Sequence, residues 1–406
     1  MLPNKKRTAY RSFQVPGFAA TGISCGIKNN KEKDLALIFS EEPAVAAGVF
    51  TTNKIVSPTI TWCRKVLDNS KTFRAIIINS GNANACNGPN GMENCKSVAF
   101  RLSQELFIKS KEVLMASTGI IGVPLPSRKI IKTLPALSKK LSSKGWIDSA
   151  EAIMTTDQVA KSNSLSFKLG SQKITIGGIA KGSGMIHPNM ATMLVFIATD
   201  AAIGKNTLNK ALKEASEKTF NRITVDGDTS TNDMAIILAN GKAKNANIQS
   251  SSLAYKIFVS KLTELCMDLA HKIVIDGEGA TKFVTIRVQG AKAKTHAHRI
   301  ALSIATSSLV KTALFGQDPN WGRIIAAVGY AGVPVNQNKI KILLNGSLLF
   351  KNGAPARGAS QSLLRKNMKR KNINIVVELN SGFHSDIVYT CDLSYDYVRI
   401  NAEYTT

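Results

Sequence analysis

Aliphatic and β-branched runs recur along this chain, and most of them end in a loop of small residues. "DLALIFS", "RAIIINS" before "GNANACNG", "EVLMAS" before "TGIIG" and "KITIGGIA" before "KGSGMIHPN" predict strands, as do "RITVDGDTSTND" and "IVIDGEGATK" before "FVTIRVQG". Apolar residues spaced three and four apart predict amphipathic helices in "CKSVAFRLSQELFIKS", "TLNKALKEASEKTFN" and "SLAYKIFVSKLTELCMDLAHK". The sum is a layered α+β protein with its chemistry in the loops at strand ends. A chain of 406 residues exceeds the usual single core, so two large layered lobes are expected. No internal repeat or long low-complexity linker is visible, and the charge-rich stretch Ser127–Gly145 reads as a surface elaboration.

The pattern changes most abruptly in "KGSGMIHPNMATMLVFIATDA", from Lys181 to Ala201. A glycine-rich polar loop stops at Met190-Ala191, and after Thr192 come Leu194, Val195, Phe196 and Ile197, the composition of a buried strand. A threonine at such a junction is either an ordinary strand starter or a nucleophile.

Composition narrows the classes. Hydrophobic residues make up 44% and charged ones 20%, as in a soluble globular protein. No apolar run approaches the roughly 18 residues that span a bilayer, so an aqueous, cytoplasmic setting with no membrane partner is expected. "MLPNKKRTAYRSF" lacks acids and looks like the start of a transit peptide, but folded sequence is expected from about Val15, which leaves little to remove. Six cysteines without CxxC spacing read as reduced, structural thiols, and His296 and His298 in "KTHAHR" have no neighbouring carboxylate, so no metal site is expected.

Charge is the outlying feature: 53 Lys and Arg face 27 Asp and Glu, a net of +26. Nucleic-acid binding is the class such a surplus suggests. Against it, the lysines are scattered and only 6% of residues are aromatic, with no stacking array. Nucleic acid is therefore not the expected partner.

No Walker loop, CxxC pair or Ser-His-Asp spacing is present, and "GDTSTND" lacks the acidic spacing of a calcium hand. What remains is the junction. If the Ala191–Thr192 bond were cut, Thr192 would carry a free α-amine beside its hydroxyl, and such an amine is one recognised base for a threonine nucleophile. At pH 7 roughly a tenth or more of an α-amine is unprotonated and able to take the hydroxyl proton. The hydroxyl itself can make the cut, by attacking the Ala191 carbonyl and passing the acyl group from nitrogen to oxygen before water releases the ester. Both this step and later turnover build an oxyanion. The Thr118 hydroxyl and Gly119 N–H in "ASTGIIG" could supply donors, or could form a plain turn.

These residues resemble the ornithine acetyltransferases, the glutamate N-acetyltransferases of arginine biosynthesis. "KGSGMIHPNMATML" resembles their self-cleavage site. "GFAATGISCGIK", "AGVFTTN", "INSGNANACNG", "ASTGIIG", "IMTTD", "ITVDGDTSTND", "DGEGATK", "FGQDPNWGRI" and "RINAEYTT" look like family blocks in family order, over nearly the whole chain. The resemblance implies acetyl transfer from N2-acetylornithine to glutamate, by ping-pong through an acetyl-threonine at Thr192. It also implies acetyl-CoA as a second donor and no bound cofactor.

By motif, Thr118 and Gly119 are the implied oxyanion pair. The implied substrate contacts are Thr155, Lys181, Thr192, Glu278, Asn401 and Thr406. Thr156 competes with Thr155 for the inward position, because neighbouring residues of an extended segment face opposite ways. Ala160-Lys161 stands where the family often has Pro-Lys, and His187 reads as a solvated bystander. The implied architecture is a layered α/β sandwich processed into two chains, residues 1–191 and 192–406, assembled as α2β2. A self-cleaving aminopeptidase of the same fold class is the enzyme-class alternative.

Overall fold

The computed structural model describes residues 12–29, 31–187, 193–356 and 361–403. They form two compact units, one from the residues up to Asn221 together with Asp228–Ile273, the other from Arg222–Gly227 and the residues from Val274 onward.

The first unit is built on an eight-stranded sheet. Its strands are β1 (Phe18–Ile23), β2 (Leu35–Phe50), β3 (Phe73–Asn82), β4 (Val113–Ile120), β5 (Lys161–Leu169), β6 (Gln172–Lys181), β7 (Leu194–Thr199) and β8 (Met234–Ala239). The order across the sheet is β4-β3-β2-β8-β7-β6-β5, with β1 also paired to β2. β2 joins two halves: Leu35–Phe39 run antiparallel to β3, and Val45–Phe50 run antiparallel to β8. Between these pairings lies exposed Glu41-Glu42-Pro43, where proline cannot donate to a ladder and the register shifts.

The uninterrupted apolar runs follow from burial on both faces. On β3, Ile76 and Ile78 join a core with Phe196, Ile236 and Trp146, while Ala75 and Ile77 join the opposite core with Val98 and Leu102 of the helix Pro89–Glu105. β7 and β8, parallel neighbours, are buried at all six positions each, as the run after Thr192 predicts. The stretch after Ser127 differs from expectation. Ser127–Lys139 is a helix whose Ile130, Leu134 and Leu137 bury one stripe in the second core, and Trp146 is fully buried with its ring 4.9 Å from Phe13. Each such side chain contributes about 1.5–3 kcal/mol of burial, so the lysines decorate the outer face of a core element.

The second unit carries a six-stranded sheet of β9 (Phe283–Ala291), β10 (Lys341–Leu344), β11 (Ser347–Lys351), β12 (Ala354–Pro355), β13 (Asn372–Glu378) and β14 (His384–Cys391). The order is β12-β11-β10-β13-β9-β14. Val284, Ile286 and Val288 of β9 alternate onto a core shared with Ala297, Ile300 and Ile304 of the helix Lys294–Thr306. The layered α+β class is thus the one expected.

Two predicted strands are absent. Ile273–Ile275 of "IVID" end the helix Leu253–Ile275, and "RITV" contributes only an isolated bridge, Ile223 to Tyr389. Among the described residues no helix is long and apolar enough to cross a membrane. All six cysteines are free thiols; burial pushes Cys63 and Cys95 up to about 12, which makes them inert packing groups.

The turn between β1 and β2 is organised by one buried carboxylate. Asp34 accepts from the backbone N–H groups of Cys25 at 2.6 Å, Ile27 at 2.6 Å and Lys28 at 3.0 Å. Asp34→Ala strands these donors and is expected to lower stability by about 3 kcal/mol. Urea unfolding measures this directly, and an unchanged midpoint would refute it.

Candidate active site

Ala191 and Thr192 lie outside the described residues; the structure becomes explicit at Met193, the residue after the proposed nucleophile. Met193 is buried, its N–H donates to Asp233 Oδ1 at 3.0 Å, and its carbonyl accepts from Met234 N at 3.1 Å. β7 then runs parallel to β8 from the pair Leu194 and Met234 onward. Burial pushes the Asp233 carboxyl well above the usual carboxylate range, against the opposing pull of the Met193 N–H, of Thr51 and of the Lys181 charge. Thr51 Oγ1, though beside this carboxyl, donates its proton to Ser230 O at 2.8 Å. Asp233 Oδ2 makes no hydrogen bond among the described residues.

Thr118 and Gly119 sit at the end of β4, where β3 runs parallel and Gly81 stands opposite Gly119. Thr118 is buried at this strand end. Gly119 has φ +129°, and a Cβ there would stand 2.4 Å from Gly81 C and 2.5 Å from Asn82 N. Asn232 reaches the same strand end: its Nδ2 donates to Ser117 O at 2.8 Å and to Ala83 O at 2.7 Å.

Lys181 closes β6 directly opposite Leu194 of β7, and its side chain is buried. Its Nζ donates to Thr155 Oγ1 at 2.8 Å and lies 3.8 Å from Asp157 Oδ2. Asp157 is fully buried; its Oδ1 accepts from Lys161 Nζ and from Gly182 N, both at 2.7 Å, and its Oδ2 accepts from Thr155 N at 3.1 Å. Burial alone would raise its pKa, but the charges of Lys161 and Lys181 outweigh it and hold the carboxyl far below the usual range. Thr155 therefore faces Lys181, whereas Thr156 faces Ser183, their hydroxyls 2.7 Å apart. Ala160 packs inward and Lys161 supplies the ion pair, so the departure at position 160 leaves this contact intact.

In the second unit, Glu278 and Asn401 meet. Glu278 is buried, and Asn401, on the helix Tyr395–Glu403, donates from Nδ2 to Glu278 Oε2 at 2.8 Å and to Tyr397 O at 3.0 Å. Ser394 Oγ holds Gly279 O at 2.6 Å, and Asp392 accepts from Thr281 N and Lys282 N, which fixes the "DGEGATK" loop. Thr406 lies outside the described residues. His187 is half-buried; burial lowers its pKa and the Asp228 charge opposes the shift, so it is less solvated than its loop setting suggested.

The ArgJ family model matches residues 19–406. This chain belongs to the ArgJ family. The arginine biosynthesis bifunctional protein ArgJ of Caldanaerobacter subterraneus subsp. tengcongensis is 45% identical over 393 residues, covering 96% of this chain and 97% of its own. Its namesake from Geobacter sulfurreducens is 44% identical over 395 residues, covering 97% and 100%. Among solved structures, the arginine biosynthesis bifunctional protein argJ of Bacillus halodurans is 42% identical with a TM-score of 0.50, matching 52% of this chain and 98% of its own.

Sequence reasoning missed Asp157, Lys161, Asn232 and Asp233 as parts of the site. The first two lie in or beside "IMTTD" and the last two close "GDTSTND", so the signal was present as position but not as burial. A cleft of about 930 Å³ in the second unit, bordered by Asp318, Trp321, Arg365 and Lys369, includes none of the predicted site residues. Among the described residues no three His, Cys, Asp or Glu side chains group closely enough to hold a metal ion.

Gly119 gives the direct test of the strand-end geometry. Gly119→Ala forces its methyl against backbone, whereas Gly122→Ala, also at positive φ (+79°), meets nothing within 4 Å. The first substitution should destabilise the chain by about 1–3 kcal/mol more than the second. Equal unfolding midpoints would show that the Gly81–Gly119 approach is not tight.

Proposed function

We propose that this chain is an acetyltransferase of arginine biosynthesis that cleaves itself between Ala191 and Thr192 and then moves acetyl from N2-acetylornithine, or from acetyl-CoA, to glutamate. Membership of the ArgJ family over residues 19–406 supports an acyltransferase rather than a peptidase or a nucleic-acid-binding protein. The solved Bacillus halodurans chain, nearly all of it matched by about half of this one, has the length expected of one cleavage product. The observation in this chain that carries the reading is the buried Lys181, held by Thr155 and Asp157 directly across the β6/β7 ladder from Leu194. Both substrates carry an α-carboxylate, the group that an ammonium such as that of Lys181 attracts.

Chemically, the Thr192 hydroxyl attacks the Ala191 carbonyl, the C–N bond breaks, and water hydrolyses the resulting ester to leave a carboxylate on Ala191 and a free amine on Thr192. In turnover this amine takes the hydroxyl proton while Oγ attacks the acetyl carbonyl of N2-acetylornithine. The Thr118 hydroxyl and Gly119 N–H receive the oxyanion. Collapse expels the ornithine amine, which takes up the proton, and the glutamate amine then removes acetyl from Thr192 by the reverse sequence. Glu278 faces the cationic end of ornithine, with Asn401 and Thr406 closing over the amino acid. The two chains, 1–191 and 192–406, stay joined through β6 and β7 and pair as α2β2 in the cytoplasm.

Purified protein should therefore run as two chains of about 21 and about 23 kDa, dividing 43.7 kDa in proportion to length. Thr192→Ala should remain one inactive chain. Incubation with N2-acetylornithine alone should add one acetyl mass to Thr192, and initial rates should give parallel, ping-pong lines. An uncut wild-type chain with full activity would sink the mechanism.

The C-terminal helix gives a separate expectation. Deleting residues 401–406 removes the partner of Glu278 but nothing described in the first unit. Self-cleavage should persist, while KM for the amino-acid substrates rises about tenfold or more. Unchanged KM values would remove Asn401 and Thr406 from the site.

A further inference from the structure

The "GDTSTND" loop has no role in the scheme above, although three of its neighbouring groups reach toward both halves of the proposed chemistry. We propose that Asp233, with Asn232 beside it, is the positioning residue that sets the Thr192 nucleophile against the Thr118–Gly119 oxyanion pair. The proposal rests on Thr192 being the nucleophile.

The geometry is short-range. Met193 is the residue that follows Thr192 in the chain, and its N–H donates to Asp233 Oδ1 at 3.0 Å. Met234 N, at the start of β8, donates to the carbonyl of Met193 at 3.1 Å, so both backbone polar groups of that residue are tied to the consecutive residues Asp233 and Met234. One residue earlier, Asn232 Nδ2 holds Ser117 O at 2.8 Å, the carbonyl that leads into Thr118. Two adjacent side chains thus grip the residue after the nucleophile and the residue before the oxyanion donor.

The loop is itself fixed. Thr51 N donates to Asp233 O at 2.9 Å, Ser57 N to Thr231 O at 2.9 Å, and Asn232 N to Ser230 Oγ at 3.1 Å. A displacement at Asp233 is therefore passed to Met193 rather than absorbed by the loop.

The buried carboxyl is a costly way to cap a strand, which argues for a task beyond packing. Burial favours its neutral form, in which one oxygen accepts from Met193 and the other carries a proton. An asparagine offers the same acceptor and donor pair in the same shape. Alanine offers neither and leaves the Met193 N–H without its acceptor.

The test compares wild type, Asp233→Ala, Asp233→Asn and Thr192→Ala as full chains. Precursor decay is followed by mass spectrometry, thermal unfolding by circular dichroism, and kcat and KM are measured on the cleaved fraction. Asp233→Ala should slow self-cleavage on the order of 10²-fold, the effect of a small misplacement of a reacting group. Its cleaved fraction should lose kcat by a similar factor with KM for N2-acetylornithine within about twofold. Asp233→Asn should restore most of what alanine loses. If the alanine chain does not fold, Asp233→Ser, too short to reach Met193, takes its place in the same comparison.

A folded Asp233→Ala that cleaves and turns over at the wild-type rate overturns the proposal, as does a folded Asp233→Asn as slow as alanine. A change confined to KM overturns it as well. Self-cleavage of Thr192→Ala would instead defeat the nucleophile assignment, and this proposal with it, so the two failures are told apart.

Discussion

The carboxylate of Asp157 is the constraint on which the first unit's site depends. It is fully buried, yet it accepts from two backbone N–H groups and from Lys161, with the Lys181 ammonium 3.8 Å away. Removing it would leave two ammonium groups in a desolvated setting, which costs several kcal/mol per uncompensated ion. The segments 155–161 and 181–183 are consequently locked to each other, and Lys181 is presented rigidly at the C-terminal end of β6.

The fold was legible in the sequence where apolar pattern and burial say the same thing. β3, β6 and β7 are continuous aliphatic runs because both faces of the sheet are covered, and the three long helices show the expected spacing. "IVID" failed because a short apolar run has no period of its own: Ile273 and Val274 continue the buried positions Leu262, Leu265 and Leu269 of a 23-residue helix. Ser127–Lys139 failed for the opposite reason, since its many lysines hide a stripe of three buried apolar residues.

The candidate site was legible in part, and the limit is physical. Thr118, Gly119, Thr155 and Lys181 stood out through motif resemblance, and the Gly119 clash supplies the reason for its identity. Asp157, Lys161 and Asp233 did not stand out, because a charged residue is ordinarily solvated and nothing in a linear string marks it as buried. Asn232 is legible only in three dimensions, since its partners Ala83 and Ser117 are 149 and 115 residues away.

The place of the proposed cut ties these features together. Residues 181 and 194 are paired across an antiparallel ladder, so breaking the chain between them leaves the β6/β7 hydrogen bonds in place. Cleavage then changes charge rather than fold. The new amine arises two residues before Leu194, close along the chain to the residue that faces Lys181. A buried like charge disfavours an ammonium and favours the neutral amine, which is the form that accepts the hydroxyl proton.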